Sequence, residues 1–85
     1  MPYDFMWLNL GYQLSEKNEY LPLSLEVFKM ASLIFPDAWY ISQGYAYVLE
    51  KAEEREEAIL MYKKCVAQNP QNEFVKRKLI DLESK

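Results

Sequence analysis

The sequence lacks histidine altogether and has one cysteine and two glycines among its 85 residues. Without histidine it lacks the commonest general base and a common metal ligand, which argues against an enzyme or a metal protein. The single Cys65 excludes an internal disulfide and fits a reducing compartment such as the cytoplasm. Gly11 and Gly44 are too far apart to form a glycine-rich phosphate loop. We therefore expect no catalysis, no metal and no cofactor.

Long apolar runs and an excess of positive charge are also missing. No stretch of about 20 apolar residues occurs, so no membrane-spanning helix is expected. The net charge is −3, which argues against a nucleic-acid partner because such surfaces are basic. Residues 1–57 carry ten acidic and four basic side chains, and residues 58–85 carry three acidic and six basic ones. This asymmetry is typical of a solvated surface, although it could also orient a second copy head to tail.

Apolar and aromatic residues are abundant, at 51% and 15% of the sequence, which predicts a folded chain. They recur at helical spacing, and no alternating strand pattern is present, so the predicted fold class is all-α. We predict one domain with about five helices. The predicted spans are 4–16, 21–34, 37–49, a fourth helix that follows the charged stretch 50–57 and ends before Asn69-Pro70, and 72–83, with Asp4 and Asp37 as N-caps.

Matching residues recur 33 or 34 positions apart, which indicates an internal repeat. The first unit contains Trp7, Leu10, Gly11, Leu14, Ser24, Phe28, Ala31 and Pro36. The second contains, in the same order, Tyr40, Gln43, Gly44, Tyr47, Ala58, Tyr62, Cys65 and Pro70. Small residues at these positions let two helices approach closely, and large ones fill the spaces between them. Cys65 takes such a small interior position, which argues against a reactive thiol.

This pattern resembles the tetratricopeptide repeat (TPR), whose consensus reads W-x2-L-G-x2-Y, then A-x3-F, then P. The resemblance covers the whole chain, with repeat one at 4–36, repeat two at 37–70 and a capping helix at 71–84. It implies antiparallel helical hairpins stacked as a short right-handed solenoid. Gln43 departs from the pattern, because an apolar residue is usual there.

The resemblance also implies a concave groove lined by the first helix of each hairpin. The matching positions are Phe5, Leu8, Tyr12, Ser15, Ala38, Ile41, Tyr45 and Val48. Their apolar and aromatic character predicts a partner that is an apolar helix or an extended protein segment. With no lysine or arginine on the two groove helices, they do not resemble the TPR domains that clamp acidic chaperone tails. The alternatives are that Ile41 and Val48 are simply buried, or that the closing helix covers part of the groove.

The predicted function is therefore a non-catalytic protein-interaction module or scaffold. Two alternatives stay open: an accessory or oligomerisation domain of a larger enzyme, which includes self-association as a homodimer, and a small secretion-type chaperone. The first has support from a likeness to the TPR tail of some bacterial serine hydrolases and esterases. That likeness is carried by residues 8–12, 27–29, 35–37 and 69–72.

Overall fold

Short turns separate the helices of the chain. The computed structural model describes residues 3–84, which form five α-helices, one 3₁₀ turn and no strand. The helices are α1 (Tyr3–Ser15), α2 (Leu21–Ile34), α3 (Trp39–Lys51), α4 (Arg55–Gln68) and α5 (Glu73–Glu83), with the 3₁₀ turn at Asn18–Tyr20. α1 packs on α2, α3 packs on α4, and α3 also contacts α1 and α2. The prediction of an all-α stack of antiparallel hairpins is confirmed.

Proline and glutamate define several helix ends. α2 tolerates Pro22 because it lies in the first turn, where its missing N–H has no helical partner. α2 ends before Phe35-Pro36 and α4 before Asn69-Pro70, as the prolines predict. α3 ends in a Schellman motif, in which Glu53 has φ 61° and Glu54 N–H donates to the Leu49 carbonyl at 2.9 Å. Glutamate thus occupies a left-handed position that usually favours glycine.

Both predicted aspartate N-caps are wrong. Asp4 lies inside the first turn of α1, where its carboxylate accepts a hydrogen bond from Phe5 N–H at 2.9 Å and another from the Tyr40 hydroxyl. Asp37 is exposed in the turn, and α3 begins two residues later with Ala38 as its N-cap. At α5 the Asn72 side chain does cap the helix, accepting a hydrogen bond from Val75 N–H at 3.2 Å.

Two buried clusters form the core, and α3 contributes to both. The first contains Phe28, Ala31, Ile41 and Val48, and the second contains Ala46, Tyr62, Cys65, Val75 and Leu82. The Phe28 ring lies against both glycines: a Cβ added at Gly11 or Gly44 would come within 2.5 or 2.6 Å of it. This contact confirms that small residues admit close helix approach while a large one fills the space.

The repeat positions on the second helix of each hairpin are equivalent in burial. Ser24, Phe28 and Ala31 are buried in the first hairpin, and Ala58, Tyr62 and Cys65 in the second. Two other repeat positions depart from an interior role, because Leu10 and Tyr47 are both nearly half exposed. Leu10 lies on the outer side of α1, and Tyr47 borders a surface recess.

Candidate partner-binding recess

The predicted groove is wrong at three of its residues, because they are inaccessible. Ile41 and Val48 are fully buried in the Phe28 cluster. Ser15 is 3% exposed, and its hydroxyl donates a hydrogen bond to the Tyr12 carbonyl at 2.7 Å. The physical reason for Ile41 and Val48 is that α3 packs against α1, α2 and α4, which encloses these two side chains.

The other predicted groove residues are dispersed. Leu8, Ala38 and Tyr45 pack half-buried against the Phe28 cluster, with the Tyr45 ring stacked on Phe28 at 6.4 Å between centroids. Phe5 is exposed and its ring centroid lies 5.3 Å from that of Tyr40. Ala38 borders a shallow recess beside the turn at residues 35–37, and Tyr12 borders a recess that several helices form together.

That recess has a volume of about 230 Å³ and is formed by residues from four helices. Its lining consists of Tyr12 from α1, Gln43 and Tyr47 from α3, Tyr62 from α4 and Phe74 from α5. The Tyr12 and Tyr47 rings meet edge to face with centroids 6.1 Å apart. We call these five residues the aromatic recess.

The face of α3 that borders the recess is not the predicted one. Tyr47 precedes Val48 by one residue, so its side chain points about 100° away around the helix. Gln43, one turn before Tyr47, is the polar residue that departs from the TPR pattern. This departure was the one signal in the sequence that could have identified the exposed side of α3.

Two of the residues that line the recess, Tyr62 and Gln43, also form hydrogen bonds with neighbouring side chains. The Tyr62 hydroxyl donates a hydrogen bond to Glu50 Oε1 at 2.6 Å, and Lys78 Nζ lies 3.3 Å from the same carboxylate. Burial and the hydrogen bond to Glu50 raise the pKa of Tyr62 well above its usual value, so this phenol stays protonated at neutral pH. Gln43 Oε1 accepts a hydrogen bond from Asn72 Nδ2 at 2.9 Å. These contacts join α5 to α3 behind the aromatic side chains.

Lys51 places one cation beside the recess. We expected no lysine on α3, but the helix extends to Lys51, whose Nζ donates a hydrogen bond to the Ser15 carbonyl at 2.6 Å. The same Nζ lies 5.7 Å from the centroid of the Tyr47 ring, a cation–π distance. Lys51 therefore ties the end of α1 to α3 and positions the Tyr47 ring.

The cysteine and the glutamate-rich stretch do not form a reactive or metal-binding site. Cys65 is buried, and this burial raises the pKa of its thiol, which opposes formation of a nucleophilic thiolate. Residues 53–57 are exposed at the start of α4, and the described residues contain no group of three acidic, cysteine or histidine side chains arranged to hold a metal ion. No helix within residues 3–84 is long and apolar enough to cross a membrane.

The fold thus defines an all-α protein of stacked helical hairpins with an aromatic recess. The chain is similar to a protein of Cyanophora paradoxa described as "Uncharacterized protein ycf37", with 33% identity over 76 residues. Those residues make up 89% of this chain but 44% of that protein, so the chain spans less than half its length. No family model matches the sequence. No solved structure matches it either.

Proposed function

We propose that this chain is a non-catalytic protein-interaction module of the TPR type, and that it binds a partner segment at the aromatic recess. The observation that carries the proposal is the convergence of partly exposed aromatic side chains from α1, α3 and α5 on one concavity. Aromatic residues of this kind dominate the energy of protein interfaces, because they bury a large area at low entropic cost.

The size of the recess indicates the occupant. Its volume of about 230 Å³ is below the range of about 300–1,000 Å³ typical of small-molecule sites. It fits one anchoring side chain of a longer segment better than a whole metabolite. Because the lining is mostly aromatic, an apolar or aromatic anchor on a helix or extended segment suits it best.

The polar groups at the recess can orient a bound partner segment. Gln43 contributes an amide to the lining, and the Lys51 ammonium lies against the outer ring, Tyr47. A carbonyl or carboxylate beside the anchor of the partner would find hydrogen-bond donors at these residues. We therefore expect bound segments to combine one apolar anchor with a nearby acidic or carbonyl oxygen.

Peptide selection tests the proposal directly. Peptides selected from a random displayed library against the wild-type chain are synthesised with a fluorophore, and their Kd is measured by anisotropy. Tyr47→Ala and Phe74→Ala remove side chains that are 41% and 57% exposed, and we expect each to raise Kd by about tenfold or more. Tyr20→Ala is the matched control, since Tyr20 in the 3₁₀ turn is 44% exposed and does not belong to the recess lining.

Circular dichroism checks that every variant keeps its helices. Equal Kd values for the wild type, Tyr47→Ala and Phe74→Ala would contradict the assignment of the recess. A selection that yields no peptide binding tighter than about 1 mM would contradict the function itself.

A further inference from the structure

The outer side of the first hairpin carries two parallel apolar stripes. On α1 the stripe consists of Tyr3, Met6, Trp7, Leu10 and Leu14, and on α2 of Leu23, Val27, Met30 and Ile34. Most of these positions are spaced by three or four residues, which places them along one side of each helix. We call these nine residues the N-terminal face.

Apart from Trp7, which packs partly buried against the Phe28 cluster, the two stripes point away from α3. Leu10 lies about 160° around α1 from Tyr12, whose ring contacts Tyr47 of α3. Met30 lies about 160° around α2 from Phe28, whose ring contacts the glycines of α1 and α3. The N-terminal face is therefore on the opposite side of the hairpin from α3.

The N-terminal face is exposed and uncharged. Six of its residues, Tyr3, Met6, Leu10, Leu23, Met30 and Ile34, have between 47% and 73% of their surface accessible. Met6, Trp7 and Leu10 border an almost wholly apolar hollow of about 370 Å³. A contiguous apolar surface of this kind marks an interaction site, since isolated exposed apolar residues are normal but clusters are not.

The other end of the molecule, formed by α5, is polar. This argues against α5 of a second copy as the partner of the N-terminal face. The outward side of α5 carries Glu73, Lys76, Arg77 and Glu83 around the exposed Ile80. Phe74, the other exposed large apolar residue of α5, lines the aromatic recess. Two ion pairs lie there, Lys76 with Glu73 and Lys63 with Glu83, each at 3.6 Å. Head-to-tail stacking would bury these charges against apolar side chains, which is costly.

We propose that the N-terminal face binds the same face of a second copy, forming a two-fold symmetric dimer of four packed helices. Because none of the nine residues is charged, the symmetric contact brings no like charges together. A two-fold axis also buries the same apolar surface on both partners at once.

The area is sufficient for a modest dimer. The two helices are about 20 Å long and pack about 10 Å apart, so the face projects to roughly 400 Å² before side-chain relief is counted. Two such faces give about 800 Å² in projection, and side-chain relief brings the accessible area near the 1,000 Å² or so in total that a specific interface needs. We expect a dissociation constant of about 1–100 μM rather than an obligate dimer.

Sedimentation equilibrium of the full chain from about 1 μM to 1 mM tests the dimer over the expected range. We expect the apparent mass of the wild type to rise from that of a monomer to that of a dimer as the concentration increases. Leu10→Glu should raise the dissociation constant by about a hundredfold or more, because each dimer would bury two carboxylates. Ile80→Glu is the matched control, an exposed apolar-to-acidic change on α5 that leaves the N-terminal face intact. It should leave the dissociation constant unchanged.

A second measurement needs no variant and therefore does not depend on any variant folding. In nitrogen–proton NMR spectra of the wild type, the indole N–H signal of Trp7 should shift with concentration, while that of Trp39 on α3 stays in place. A monomer at every concentration would overturn the proposal. So would a mass that Ile80→Glu lowers as much as Leu10→Glu, or an indole shift confined to Trp39.

Discussion

The first hairpin and the last helix are attached to α3 in different ways. The first hairpin is held mainly by shape, because the Phe28 ring fills the space that Gly11 and Gly44 leave open. Two hydrogen bonds, Tyr40 with Asp4 and Lys51 with Ser15, add polar contacts between α1 and α3. The last helix buries only Val75 and Leu82, in a cluster with Ala46 of α3, so polar side chains make up more of its attachment. The Asn72 amide donates a hydrogen bond to Gln43, and Lys78 forms an ion pair with Glu50.

The outer surfaces of these two regions also differ in polarity. The first hairpin exposes an apolar face, whereas α5 exposes charged residues around Ile80. Helical stacks need a polar outer surface on a terminal unit to stay soluble. α5 therefore presents a mainly charged outer surface, whereas the first hairpin presents an apolar one. Substitutions in the two regions separate packing from polar attachment.

Phe28→Ala should have the largest effect. Removing a fully buried ring that contacts two glycines should lower the free energy of unfolding by about 3–5 kcal/mol. Phe74→Ala is the matched control on α5, where a 57% exposed ring should cost less than about 1 kcal/mol. Urea denaturation measures both, and similar losses would show that the first hairpin does not depend on this ring.

Tyr62→Phe tests the polar contacts around Glu50 of α3, which Tyr62 of α4 and Lys78 of α5 both contact. The hydroxyl bonds a carboxylate that also pairs with Lys78, so its loss should cost about 1.5–2 kcal/mol at neutral pH.

The pH dependence of the same variant follows from the raised pKa of Tyr62. The folded state binds this proton more tightly than the unfolded state, so the stabilisation is complete below pH about 10 and is lost as the pH rises further. Tyr62→Phe should therefore lose stability less steeply above that pH, as thermal unfolding at a series of pH values measures. An unchanged alkaline slope would contradict the role of this phenol.

Gly11→Ala should lower the free energy of unfolding by less than Phe28→Ala or Tyr62→Phe. The added methyl would crowd the Phe28 ring, at a cost of about 1–3 kcal/mol, and alanine would regain up to about 1 kcal/mol of helix propensity. We expect a net loss of about 1–2 kcal/mol. Combining it with Phe28→Leu should give a total loss smaller than the sum of the two single losses, because leucine leaves room for the methyl. Strict additivity in urea denaturation would contradict the contact.

Asn72→Ala should have the smallest effect that is still measurable. It removes the N-cap of α5 and the hydrogen bond to Gln43, which should cost about 1 kcal/mol. Asp37→Ala is the control, because its carboxylate caps no helix and its loss should cost less than about 0.5 kcal/mol. A larger loss at Asp37 than at Asn72 in the same denaturation assay would reverse the assignment of the caps.

Local signals in the sequence predicted the helices well. α2 was predicted at its observed bounds because Pro22 is tolerated only in a first turn and Pro36 prevents continuation. The end of α4 followed from Asn69-Pro70 in the same way. The burial of Phe28 and Tyr62 followed from the repeat spacing.

The site could not be predicted as well, because it depends on which neighbours surround α3. Apolar residues occupy several sides of this helix, so its periodicity does not identify an exposed side. The contacts that orient it join residues 36 positions apart, namely Tyr40 with Asp4 and Lys51 with Ser15. No local pattern encodes such pairs. Two residues of the recess were indicated by the sequence: Tyr12, as a groove position of the TPR pattern, and Gln43, as a polar residue in an apolar repeat position.

The position of the Phe28 ring has a consequence for how this protein can vary among its relatives. One ring serves both the interior of the first hairpin and its junction with the second. Positions 11, 28 and 44 should therefore change together: a larger residue at either glycine requires a smaller one at 28. An alignment of homologues should show this covariation, and chimaeras that exchange one hairpin between relatives should fold only when the three positions match.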